Sequence, residues 1–136
     1  MKSNRKTYVA LSGVILCMLA VTQAVFASDF SVKEYNEFHD VLHPLEHEAL
    51  PAKDFQRIRA NAGEFVKRGK ALIKVGVPKG AATANVEEFR MELKKFKSAL
   101  DAFKRDAREG TDSQLENSFS AVHDSFEMLV GMLPRK

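Results

Sequence analysis

The 136-residue chain has no Trp and a single Cys. That residue, Cys17, lies in an apolar N-terminal stretch, so the rest of the chain has no thiol for a disulfide or a thiolate-held metal. Glycine (seven) and proline (four) are sparse. No Gly-rich loop is present to cradle a phosphate, and no serine nucleophile signature occurs. No segment alternates apolar and polar residues as a half-buried strand does. A basic excess is also missing beyond residue 27, where 18 Lys and Arg face 18 Asp and Glu. The formal net charge of +3 comes from Lys2, Arg5 and Lys6. Recognition of nucleic acid through overall charge is therefore not expected.

Those three cations, the apolar run from Tyr8 to Val21 and the small residues around Val25-Phe26-Ala27 have the layout of a secretory signal. The apolar run is shorter than the roughly 20 residues a membrane span needs. Residues 1–27 are read as a cleaved signal peptide and 28–136 as the exported domain, placed in the periplasm. Membrane attachment would follow only if that segment stayed uncleaved. Leu16 occupies the position before Cys17 where lipidation requires a small residue.

Helical periodicity dominates the remainder. Ser31 and Glu34 have the spacing of a capping box. Phe38, Leu42, Leu45 and Ala49 follow at helical spacing, predicting a first helix to about Leu50. Pro44 interrupts it and is expected to kink or restart it. Pro51 to Asp54 reads as a turn. Phe55, Ile58, Ala62, Phe65, Gly69 and Leu72 mark a second helix, and Gly76 to Gly80 a loop. Asn85 and Glu88 predict the cap of a third helix with Phe89, Leu93, Phe96, Leu100 and Phe103 on its apolar stripe. Gly110 to Asp112 separates it from a fourth, carrying Leu115, Phe119, Val122, Phe126, Leu129 and Leu133. The expected fold is all-α: an antiparallel up-down-up-down four-helix bundle. Nine of the ten Phe lie in the domain and are read as its core. Lys94, Lys95 and Lys97 read as a solvated face, with an anionic partner as the alternative.

All four histidines fall on the first and last helices. His39, His43 and His47 are spaced i, i+4, i+8 and share one side of the first; His123 lies on the fourth. A rise of about 1.5 Å per residue puts His123 and Glu127 at the depth of His39 and His43 in an antiparallel bundle, with Glu64 of the second helix near that level. Imidazoles with a carboxylate or the Met128 thioether suit Cu, Zn or Ni. The candidate metal ligands are His39, His43, His47, His123, Glu127 and Glu64. The alternative is haem b held non-covalently, with His39 or His43 opposite His123 or Met128. Structural or pH-responsive histidines in a cofactor-free interaction module complete the set. Catalysis is not expected: the Glu-x-x-His pairs of a di-iron bundle are absent, Asp40-Val-Leu-His43 being the nearest approach. Pairing of two bundles through a helix face is left open.

The stretches Val86-Glu-Glu-Phe-Arg to Leu100-Asp-Ala-Phe-Lys, Glu109-Gly-Thr-Asp and Leu115-Glu-Asn-Ser-Phe-Ser-Ala-Val-His-Asp-Ser-Phe126 resemble the cytochrome c-prime family of periplasmic four-helix bundles. In that family the last helix runs into a C-x-x-C-H motif that attaches haem. Here Phe126, Leu129 and Val130 stand in its place, so covalent haem c is excluded. The segment Phe38-His-Asp-Val-Leu-His-Pro-Leu-Glu-His-Glu-Ala-Leu50 is similar to the His-rich first helix of periplasmic heavy-metal sensing and resistance proteins. That resemblance implies a site in which His from the first and last helices join a carboxylate and a Met sulfur, here His39, His43, His123, Glu64 and Met128.

Overall fold

The computed structural model describes residues 29–81 and 86–134; the leader 1–27 and the Asn85 cap lie outside them. Amphipathic periodicity gives four helices: α1 (Lys33–Pro44), α2 (Phe55–Val75), α3 (Val86–Glu109) and α4 (Asp112–Gly131). No strand occurs among the described residues. The expected Ser31–Glu34 box does not form. α1 is capped at Val32 without a side-chain bond to its first turn. Asn36 does the local work instead, accepting from the Phe30 N–H at 2.9 Å and donating to the Phe30 carbonyl at 3.0 Å. One amide thereby serves both polar groups of Phe30 and ties the entering chain to α1, which the Ser31 hydroxyl does not.

Pro44 does not break the first helix. Lacking an N–H, it cannot bond the Asp40 carbonyl, and the chain widens into a π turn over Leu45–Ala49. Leu50 donates to the Leu45 carbonyl, five residues back, at 2.9 Å. Lys53, in the left-handed region at φ 55°, then reverses the chain. Asp54 caps α2 by accepting from the Arg57 N–H at 2.9 Å. Thr111 and Gln114 form a reciprocal capping box that starts α4 two residues after α3 ends.

The apolar stripes meet in one core in which Tyr35, Phe38, Phe65, Phe89, Phe96, Phe103, Phe119 and Phe126 are completely buried. Burying each such ring contributes about 1.5–3 kcal/mol. Ala62, Leu93 and Leu133 line the same stripes but are only partly buried. Three contacts fix which parts of neighbouring helices meet. Gly69 of α2 lies against Leu100 of α3. Arg59, near the start of α2, donates to the carbonyls of Asp106, Ala107 and Gly110 at the end of α3, at 2.8–3.0 Å. Ser125, late in α4, donates to the Glu92 carboxylate, early in α3, at 2.7 Å. α1 meets α4 through rings: Tyr35 stacks on Phe126 at 5.9 Å and Phe38 packs on it at 5.1 Å.

Candidate metal centre

On an α-helix, residues four apart sit one above the other. His39 and His43 obey this, with ring centroids 5.2 Å apart. His43 and His47 straddle the π turn and are closer, at 4.3 Å. The three imidazoles form a continuous ladder along one side of the first helix. His39 and His43 are half-buried, and His47 is exposed.

The upper end of the ladder is enclosed by aromatic rings. Phe30 meets His39 edge-on at 5.6 Å, and Phe126 of α4 lies 6.3 Å from it. Burial, followed by repulsion from His43, pulls the His39 imidazole below its ordinary titration range; Asp40 and Glu127 pull the other way. Glu127 therefore acts on α1 electrostatically, while on its own helix its Oε1 lies 4.0 Å from His123 Nε2. His123 Nδ1 faces Asp124 at 3.5 Å.

Among the described residues, no three His, Cys, Asp or Glu side chains stand in position to hold one metal ion. The convergence of His39, His43, His123 and Glu127 expected from helical rise is not assembled. Phe126, not His123, meets α1 at the level of His39, and His123 is turned toward the carboxylates of its own helix. Glu64 is exposed and occupied: Arg68 donates to it at 2.6 Å, and this bond, more than any other cause, lowers its pKa. Arg68 also bridges to Glu37 of α1 at 2.8 Å, tying Glu64 into a surface ion network. Met128 is 54% exposed.

The surroundings are strongly polarised. Segments 29–52 and 110–134, which carry every histidine, hold ten Asp and Glu against Lys33 alone. Residues 53–109 hold fifteen Lys and Arg against eight acids. A field of this sign concentrates cations at the α1–α4 half. Imidazole is the donor type that Cu, Zn or Ni prefers, and His43 and His47 place two of them one turn apart.

Three further polar features, two buried and one half-buried, are not marked by any motif. Glu92 is buried between α3 and α4; desolvation pushes its pKa up, but bonds from Ser125 and Lys95 outweigh this and hold it low. Its place on the stripe of Phe89 and Phe96 was the available signal. Arg59 claims the end of α3, for which no local pattern exists. The Tyr35 hydroxyl is buried with no partner among the described residues, and burial raises its pKa. Comparison with family models, with curated protein sequences and with solved structures found no match for this chain.

Proposed function

We propose that the chain is an exported, antiparallel up-down-up-down bundle that takes up divalent transition-metal ions along the histidine ladder of its first helix, for sensing, buffering or delivery. The topology is supported by the pairing of helix starts with helix ends: Arg59 with Gly110, Ser125 with Glu92, and Tyr35 with Phe126. The metal reading is carried by the ladder itself, above all the 4.3 Å spacing of His43 and His47. Two imidazoles one turn apart chelate one ion and leave the rest of its coordination sphere exchangeable, which suits transfer better than permanent storage. His39 supplies a second pairing with His43. Glu127, which acts on His39 electrostatically, and the half-buried His123 are the candidate donors from α4. Haem b would have to enter the α1–α4 seam, where the rings of Phe30, Phe38, Tyr35 and Phe126 are packed together. The weight therefore falls on a bare ion.

The test is competition titration of the purified protein with Zn, Cu and Ni, alongside haemin as a spectroscopic control. His43→Ala with His47→Ala removes both imidazoles of the closest pair and is expected to weaken metal binding by more than about 10-fold, the loss that removing even an outer-shell partner causes. His39→Ala with His123→Ala isolates the cross-helix contribution. Retention of full affinity by both double variants would remove the histidines from the function.

A further inference from the structure

The basic half of the molecule is a surface in its own right. Lys67, Lys70 and Lys74 fall on one outward stripe of α2 over about 10 Å of helix. Lys94, Lys97 and Lys104 are exposed along about 15 Å of α3. The two helices lie side by side because Gly69 has no side chain to hold Leu100 away. Lys67 and Lys97 are paired with Glu64 and Asp101. Among the described residues, no carboxylate forms an ion pair with Lys70, Lys74, Lys94 or Lys104.

We propose that this α2–α3 face docks on an anionic phospholipid surface, leaving the acidic α1–α4 face and its histidines turned toward the aqueous phase. Charge complementarity supplies the attraction, each lysine near such a surface strengthening partition about fivefold. The composition of the face selects lipid over a folded acidic partner. A protein interface is anchored by aromatic or aliphatic groups buried at its centre, and among the described residues this face exposes no large hydrophobic side chain other than Met91. That thioether, 61% exposed and one turn from Lys94, lies at a place where it dips into the headgroup boundary. The opposite half, rich in carboxylates, is repelled by the same surface, so the orientation follows from one field acting on both halves.

The experiment is co-sedimentation of the full chain with phosphatidylglycerol vesicles and with phosphatidylcholine vesicles, at low and high salt. Binding to phosphatidylglycerol at low salt, lost at high salt, is expected. Lys70→Glu with Lys74→Glu and Lys94→Glu should reduce that binding by at least about 100-fold relative to the parent chain, whose N-terminal segment is identical. The corresponding Lys→Gln triple variant, checked for retained helicity by circular dichroism, should show a smaller loss of the same kind. His43→Ala with His47→Ala should bind vesicles like the parent, because those residues lie on the other face. Equal partition of parent and both lysine variants overturns the proposal. So does salt-sensitive self-association without vesicle binding, which would assign the face to the acidic half of a second copy.

Discussion

Gly69 shows how a single atom sets the spacing of two helices. A Cβ added there would stand 2.6 Å from Leu100 Cδ2 and 2.9 Å from Cδ1, and Leu100 is itself enclosed by the core. Gly69→Ala is expected to destabilise the fold by about 1–3 kcal/mol, overpacking outweighing the usual helix-propensity gain. Gly63, on the same helix with nothing within 4 Å of its would-be Cβ, is the control. Gly63→Ala should stabilise by up to about 1 kcal/mol. Urea denaturation of the two variants reads both signs, and a stable Gly69→Ala would mean that Leu100 has room to move. His39 gives a second test at this scale. Its folded pKa lies below its unfolded one, so the unfolded chain binds the extra proton first. Its contribution to stability is complete above the ordinary histidine range near 6.5 and is lost as pH falls through the lower, folded value. Thermal melts between neutral pH and about pH 5 should therefore show a falling Tm that His39→Gln flattens. Glu92, Glu37 and Glu64, whose pKa values are lowered, lose their contributions only below the carboxylate range near 4.5, which separates the two windows.

At the scale of the element, the first helix is where expectation and structure differ most instructively. The apolar spacing of Phe38, Leu42, Leu45 and Ala49 gave its course, because burial alone decides which side faces the core. Pro44 announced a disturbance, but not its form. A missing donor is accommodated equally well by a kink, a break or a wider turn, and the packing of neighbours chooses among them. The same holds for Ser31 and Glu34, whose spacing suited a cap that Asn36 pre-empted from within the helix. Of the candidate site, the alignment of His39, His43 and His47 along one side of the helix was legible, because i, i+4 spacing fixes it. Convergence with His123 was not legible: rise fixes depth along the bundle, whereas rotation about the α4 axis gives the facing position to Phe126. The π turn also has a measurable consequence. Pro44→Ala restores a donor to the Asp40 carbonyl and is expected to let the turn wind back to α-helical spacing. Stability should rise by up to about 3 kcal/mol, the cost of proline within a helix. Metal affinity at His43 and His47 should fall as their rings separate toward the 5.2 Å seen for His39 and His43. Competition titration with Ni measures the second effect, and unchanged affinity would show that the wider turn plays no part in chelation.

For the whole molecule, the question is whether the proposed metal uptake is a property of the fold or of a histidine-bearing peptide. The three imidazoles of the first helix would bind an ion weakly even on an unfolded chain, and that binding would leave the folding equilibrium untouched. Preorganisation has the opposite signature. A ligand held only by the native state stabilises it by about 2.7 kcal/mol when present at 100 times its dissociation constant. For a domain of about 100 residues that corresponds to a rise in Tm of roughly 10 °C or more. Melting the full chain with and without saturating Zn or Ni is therefore expected to show such a rise. His43→Ala with His47→Ala should abolish it, whereas charge reversal at Lys70, Lys74 and Lys94 should leave it in place. Rising salt should diminish the shift, because the carboxylates of α1 and α4 draw the cation in through a field that mobile ions screen over about 10 Å. Binding without any change in Tm would mean that the ladder geometry contributes nothing, and that the bundle carries its histidines without shaping what they hold.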